Sequence, residues 1–361
     1  MKLLHLISGG DAGGAKTHVL SLLRELNAAD EALLLTLGDG PLAREALAAG
    51  LPCRVLRGGF AAAAGQVVRI ARDFHPALLH CHGARANVTG ALLKRQLAIP
   101  VISTVHSDYR LDYLGRPLAR AGFGRLNAAA LGRMDALVCV SDAMARRMSA
   151  RGFRRVYPIY NGADFDLPRS AAAFPAGEGT VTAAAAARFD PVKDLSTLLR
   201  GFAAAAGREP RLRLLLAGDG AEAEKLRSLA RELGCGQRVL FPGWVEDMEG
   251  FWASADIAVI SSLSETFPYT LTMAARYGLP VIATPVGGIP ALVEEGVTGA
   301  LFPVGDADAL AEALIALAAD APLRARLGAE TARRGRERFS LAAMGQRQRE
   351  IYRSILADAG R

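Results

Sequence analysis

The chain of 361 residues is longer than one compact core usually organises, and its 51% hydrophobic and 22% charged residues suit two globular cores, which excludes a single small module and global disorder. The 43 Lys and Arg against 36 Asp and Glu leave a formal charge of +7, which points to an acidic partner such as phosphate, anionic lipid or nucleic acid and says nothing about fold. Cys53, Cys81, Cys139 and Cys235 stand far apart with no Cys-x-x-Cys pair, so neither a zinc ribbon nor a disulfide framework is indicated, and a reducing cytoplasm fits.

The opening MKLLHLISGG has a short apolar run broken by His5 and closed by glycines, the pattern of a first strand over 3–7 and not of a cleaved leader. A helix is expected over 15–26. Strands are expected at 32–37, 53–56, 77–80, 101–105, 136–140 and 156–159, each beside helix-like sequence, which is how a parallel, doubly wound sheet reads. Residues 170–179, SAAAFPAGEG, combine small residues with Pro and Gly, lack hydrophobic period and read as a connector near the domain boundary. Strand-like runs resume at 180–187, 211–217, 238–241, 256–260 and 280–284. Helices over 306–319, 322–339 and 341–356 then follow without a strand between them, so at least one must pack away from the second sheet. The fold class is therefore α/β, two doubly wound parallel sheets, with ligands expected in loops beyond the carboxyl ends of the strands. No apolar run approaches the ~18–20 residues of a bilayer span, which leaves attachment to a membrane surface open.

Chemistry is sought in those loops. SGGDAGGAKTH (8–18) puts Gly13 and Gly14 between strand and helix, where bare amides and the helix dipole favour an anion, or where glycine serves packing alone. Lys16 stands in the first helical turn, as a phosphate contact or a solvated cation. ARFDPVKD supplies Arg188 after a strand and Lys193 at a helix start, either two cations converging on one diphosphate or two surface charges. Gly218-Asp219-Gly220 forms a turn after the next strand. His80 and His82 alternate at the end of a strand and so face one way, but no third metal ligand is evident nearby and no metal is expected. Asp164-Phe165-Asp166 and Asp306-Ala307-Asp308 have the DxD form of metal-dependent sugar transferases, yet Asp306 reads as a helix cap and Asp164 as part of the segment between domains.

The run SSLSETFPYTLTMAARYGLPVIATPVGGIP (261–290), with ARFDPVKD, GDG and NGADF (161–165), resembles the retaining glycosyltransferases of family 4 in order and spacing along nearly the whole chain. The resemblance implies a GT-B fold of two Rossmann-like domains facing a cleft. Residues 1–165 would take the acceptor and 166–340 the nucleotide-sugar donor, with about 341–361 packed back on the first domain. It implies Arg188 and Lys193 on the donor diphosphate, Glu265 on the transferred sugar, and His106 of STVHSD touching that sugar. Backbone near Thr266, Phe267 and Pro268 would hold sugar and phosphate, with Gly13, Gly14, Gly218, Gly287 and Gly288 also on the donor side. Lys16, Asp108, Tyr109 and Arg110 fall to the acceptor side. No cofactor beyond the nucleotide sugar is implied.

One position departs from the family pattern: the second glutamate, eight residues after the first, is Met273. A thioether cannot accept hydrogen bonds as a carboxylate does, a loss on the order of 1.5–3 kcal/mol, roughly ten- to hundredfold in affinity. Alternatively, Met273 is one more apolar residue on a buried helix. Between Arg85 and Tyr157 stand 13 Lys or Arg against 4 Asp, a local +9 that puts the basic surface on the acceptor half. The aromatic and arginine-rich run 109–125 reads either as an interfacial, anionic-lipid-binding segment or as a solvated face. No nucleic-acid module is recognisable. The expectation is a metal-independent retaining glycosyltransferase at the inner membrane face, acting on a lipid-linked or polysaccharide acceptor. The rivals are a non-catalytic or weakened paralogue and an epimerase or sugar phosphorylase on the same fold. A dinucleotide-dependent oxidoreductase is weakest, since the G-x-G-x-x-G fingerprint is missing.

Overall fold

The computed structural model describes residues 1–10, 13–108, 120–174 and 177–360. The chain divides into two compact units, Met1–Gly162 with Leu341–Arg361, and Ala163–Ser340.

The first unit is a seven-stranded parallel sheet in the order β3-β2-β1-β4-β5-β6-β7. Its strands are β1 (Lys2–Ser8), β2 (Glu31–Leu37), β3 (Cys53–Leu56), β4 (Leu78–His82), β5 (Val101–Val105), β6 (Ala136–Cys139) and β7 (Val156–Pro158). Helices α1 (Gly14–Asn27), α2 (Pro41–Ala48), α3 (Phe60–Phe74), α4 (Ala84–Leu97), α5 (Arg125–Leu131) and α6 (Asp142–Ala150) alternate with them. Both sheet faces are covered, so the strands are apolar on both sides. Leu3, Ile7, Leu34, Leu78 and Ile102 pack under one face, and Leu4, Leu6, Leu35, Leu79 and Val101 under the other. β4 runs two residues beyond the expected 77–80 and so takes in both His80 and His82.

The second unit is a six-stranded sheet in the order β10-β9-β8-β11-β12-β13. Its strands are β8 (Val181–Ala186), β9 (Leu212–Ala217), β10 (Val239–Gly243), β11 (Ile257–Ile260), β12 (Val281–Ala283) and β13 (Gly299–Leu301). It carries α7 (Leu195–Arg208), α8 (Ala223–Glu232), α9 (Met248–Ala253), α10 (Tyr269–Tyr277), α11 (Ala307–Ala319) and α12 (Ala321–Arg338). The final helix α13 (Leu341–Asp358) belongs to the first unit, where Met344, Ile351, Tyr352 and Ile355 enter its core.

Two readings of the sequence need correction. The three-residue strand β13 was not foreseen. Residues 170–174 are not a free connector, because the Ser170 amide donates to Tyr277 Oη at 3.3 Å, Ala173 to the Gly250 carbonyl at 3.0 Å and Phe174 to Ser254 Oγ at 2.9 Å. The missing hydrophobic period hid a docked segment, since its backbone amides do the docking.

Candidate active site

In the second unit the turn after β8 carries Arg188 and Lys193, and the loop after β11 carries Glu265. Lys193 closes a short 3-10 turn, Pro191–Lys193, whose proline fixes the first residue. Its Nζ donates to Glu265 Oε1 at 2.6 Å, with side chains only 18% and 10% exposed. Ser262 Oγ donates to the same oxygen at 2.7 Å, and Ser261 Oγ to the Lys193 carbonyl at 2.9 Å. The structure thus brings Lys193 and Glu265 together. Arg188 instead lies 76% exposed with Asp190 at 2.9 Å, so the two cations have separate partners.

The Glu265 loop is held by glycine. Gly287 has φ +60, and a Cβ there would fall 1.8 Å from the Glu265 carbonyl oxygen. Gly288 donates its amide to the Thr266 carbonyl at 2.6 Å. Behind the loop the buried Phe267 ring meets Phe339 at 4.9 Å between centroids. Pro268 lacks an amide hydrogen, so of the three positions expected to hold sugar and phosphate through amides only Thr266 and Phe267 have one. Met273 is half-buried on α10 between buried neighbours. Gly218 packs tightly, since a Cβ there would lie 1.8 Å from the Ala187 carbonyl oxygen, and close approach alone accounts for this glycine. Asp306 caps α11 by accepting from the Ala309 amide at 2.9 Å, and Asp164 closes a turn by accepting from Asp166 at 3.0 Å.

The first unit holds a feature the sequence showed only in part. Parallel pairing sets His5 of β1 beside His80 of β4, and His18 of α1 and His106 after β5 complete a group of five of the chain's six histidines. Their nitrogens form a chain. His106 Nε2 lies 3.3 Å from His82 Nδ1, and His82 Nε2 lies 3.1 Å from His5 Nδ1. His5 Nε2 lies 3.4 Å from Tyr352 Oη, Tyr352 Oη 2.7 Å from His80 Nδ1, and His80 Nε2 2.7 Å from Thr104 Oγ1. His18 Nδ1 meets Asn161 Oδ1 at 3.0 Å. Along the chain one tautomer, Nε2 protonated, lets His82, His5 and His80 each donate once and accept once with His106 donating at the head, whereas His18 carries its proton on Nδ1 and donates to Asn161 Oδ1. Burial disfavours the imidazolium form, pushing His5 down to about 3 and His18 to about 4, and holding His80, His82 and His106 well below the usual histidine range.

The expectation that no third ligand adjoins His80 and His82 is corrected by His5, since nitrogens of the three lie within 4.8 Å of one another. Both nitrogens of each ring are engaged in the chain, so a cation would have to break bonds already made.

The remaining expected residues separate. Gly13 caps α1 with φ +72, and Gly14 is the first helical residue. Lys16 is paired with Glu45 of α2. Asp108 is buried, with Arg151 on both oxygens at 2.7 Å and Arg147 at 3.1 Å, so its carboxylate fastens the end of α6. Tyr109 and Arg110 lie outside the described residues. Sequence reasoning missed Ser262, His5 and His18, and also Arg276. That buried arginine of α10 binds the carbonyls of Asp164, Leu167 and Pro168 and the carboxylate of Glu249.

Two Rossmann-like units, a seven-stranded and a six-stranded parallel sheet, have the architecture of the GT-B type, and comparison with known proteins gives the class, a glycosyltransferase. Residues 12–167 match the family described as Glycosyltransferase Family 4, and residues 180–320 match Glycosyl transferases group 1. D-inositol 3-phosphate glycosyltransferase 2 of Catenulispora acidiphila is 30% identical over 98% of this chain and 93% of its own length. The lipopolysaccharide core biosynthesis glycosyltransferase LpsE of Rhizobium meliloti is 32% identical over 62% of this chain, and the match spans 64% of that protein, a little under two thirds. The Anabaena protein HepE, solved in complex with UDP, superposes with a TM-score of 0.83 at 22% identity, covering 98% of this chain and 100% of that one. The chain belongs to glycosyltransferase family 4.

Proposed function

We propose that this glycosyltransferase moves a sugar from a nucleoside-diphosphate donor to a lipid-linked or polysaccharide acceptor in cell-envelope or exopolysaccharide glycan synthesis, with retention and without a divalent metal. The observation that carries the reading is the largely buried Lys193–Glu265 pair at the carboxyl ends of β8 and β11, beside the Gly287–Gly288 loop. LpsE acts in lipopolysaccharide core synthesis, and HepE was solved with UDP-glucose, which makes a uridine nucleotide the first donor to test.

In this reading the bond from the sugar's anomeric carbon to the diphosphate oxygen breaks, and the acceptor oxygen bonds to the same face of that carbon. The acceptor proton passes to the departing diphosphate, so no separate base is required. Lys193 and Arg188 stabilise charge on the leaving group, where a positioned cation is worth most. Glu265 orients the sugar hydroxyls. His106, kept neutral by burial, touches the donor sugar. The basic first unit would take the acceptor at the cytoplasmic face of a membrane; no helix among the described residues is long and apolar enough to cross one.

The test is thermal unfolding with saturating UDP, GDP, ADP and TDP, followed by product analysis. Ligand at about 100 times Kd adds ~2.7 kcal/mol, a shift of several degrees. One nucleotide should shift the protein selectively. Lys193→Gln, which removes the charge and shortens the side chain by one bond, should lose transfer by at least a hundredfold while lowering Tm but still folding. No shift with any nucleotide would implicate Met273 and a non-catalytic paralogue, and full transfer by folded Lys193→Gln would refute the role of the lysine.

A further inference from the structure

The first unit contains a cavity that nothing so far has used. It encloses about 730 Å³ at the carboxyl ends of β1, β2, β3 and β4, spanning the point between β1 and β4 where the strand order reverses. Doubly wound sheets bind their ligands at such a point, and this volume lies in the range of small-molecule sites, about 300–1,000 Å³. Its walls are mostly apolar: Leu56, Val88 and Ala63 inside, with Phe60, Phe123 and Leu126 at the mouth. Those last three are 55%, 60% and 55% exposed, a clustering of large apolar groups that a soluble surface rarely keeps without a partner.

Charge sits at the same mouth. Arg85 lines it from the first turn of α4, exposed and with no ion-pair partner among the described residues. Arg57 and Arg125 precede the lining segments 58–60 and 126 and are likewise exposed. The carboxylate at the rim, Asp39, is engaged by the Gly40 amide and lies 3.9 Å from Arg44. An apolar interior with a guanidinium at its lip complements an amphiphile with an anionic head, and among acceptors for sugar transfer that chemistry is a hydrocarbon chain ending in phosphate.

We propose that this cavity holds the chain of a lipid-phosphate acceptor, with the phosphate on Arg85. The proposal rests on the reading of the protein as a glycosyltransferase whose first unit takes the acceptor, and it selects the lipid-linked class over the polysaccharide one.

The test is calorimetric titration of the full chain, without nucleotide, with butyl, hexyl and octyl phosphate, with inorganic phosphate and with octanol. Each methylene buried in the cavity should tighten binding about fourfold until the cavity is full. Phe60→Ala should weaken octyl phosphate at least fivefold with little effect on inorganic phosphate. Arg85→Ala should weaken octyl phosphate about tenfold and leave octanol unchanged. Both side chains are exposed, so both variants should melt with the parent protein. Affinity independent of chain length, octanol binding as tightly as octyl phosphate, or insensitivity to both variants would overturn the proposal. Because donor is absent, failure of nucleotide binding would sink the glycosyltransferase reading and leave this result standing.

Discussion

At the scale of single residues, the buried histidines make stability depend on pH in a direction that follows from their burial. In the folded first unit His5 takes a proton near 3 and His18 near 4, whereas in the unfolded chain each does so at the ordinary 6.5. Between 6.5 and those values the unfolded chain binds more protons, so folding stability falls as pH falls, by about 1.4 kcal/mol per histidine per pH unit. Above 6.5 both states are neutral and the contribution is constant. Urea unfolding at pH 7, 6 and 5 should show this decline. The carboxylates held near 2 by arginine, Glu209 and Glu330, take up protons in the unfolded chain only around 4.5 and below, so the window above pH 5 isolates the imidazoles. His18→Gln should reduce the slope by about one proton, and a flat profile from pH 7 to 5 would refute the account. Alternation revealed His80 and His82 in the sequence, but positions 5, 18 and 106 share no period with them. They meet only because β1 and β5 flank β4, an ordering that strand-like runs do not encode.

At the scale of elements, the candidate site depends on two loops that must lie against each other, the one after β11 and the one after β12. Gly287→Ala would place a methyl into the Glu265 carbonyl and force a residue with a side chain into φ +60. The left-handed conformation alone costs roughly 1–2 kcal/mol, and moving the Glu265 backbone costs more. A displacement of about 1 Å at a positioned carboxylate can cost a hundredfold in rate. The expected result is a Tm lowered by several degrees and transfer lowered more than tenfold. Gly305→Ala supplies the control, since Gly305 has φ +79 with nothing within 4 Å of an added Cβ, and it should lose stability modestly while keeping transfer. Equal activity in the two variants would remove the loop contact from the argument. Most strands were legible because burial on both faces makes them short apolar runs, and this extends to the alanine-rich β8, whose residues 181–185 are all buried. The three residues of β13, Gly-Ala-Leu, are too few and too small to form such a run, and their strand state comes from pairing with β12. That Lys193 and Glu265 serve one site was legible only through resemblance, and their direct ion pair was not expected, because 72 residues separate the partners.

At the scale of the whole molecule, the chain leaves the first unit once and returns once. Ala163 and Ser340 pair with each other, and the Ala163 amide donates to the Phe339 carbonyl at 3.0 Å, so the second unit begins and ends at neighbouring points. Its strands and helices are continuous in sequence, whereas the first unit needs α13 to finish its core. Met344, Ile351, Tyr352 and Ile355 are each at most 3% exposed, and burying four such side chains contributes roughly 6–12 kcal/mol, comparable with the about 5–15 kcal/mol net stability of a domain. Arg349 also pairs with Glu25 and Asp30, and Tyr352 supplies the hydroxyl between His80 and His5. A chain ending at Ser340 should therefore lose the first unit's unfolding transition in scanning calorimetry and keep the second's. The surviving transition should still move with the nucleotide that shifts the full chain, though less, because Arg188, Lys193, Gly218, Glu265, Gly287 and Gly288 lie between Ala163 and Ser340 while Gly13, Gly14 and His106 do not. Two transitions in the truncated chain would mean that the first core is complete without its last helix. Loss of both would mean that the second unit, despite its continuous chain and paired ends, cannot hold its fold alone.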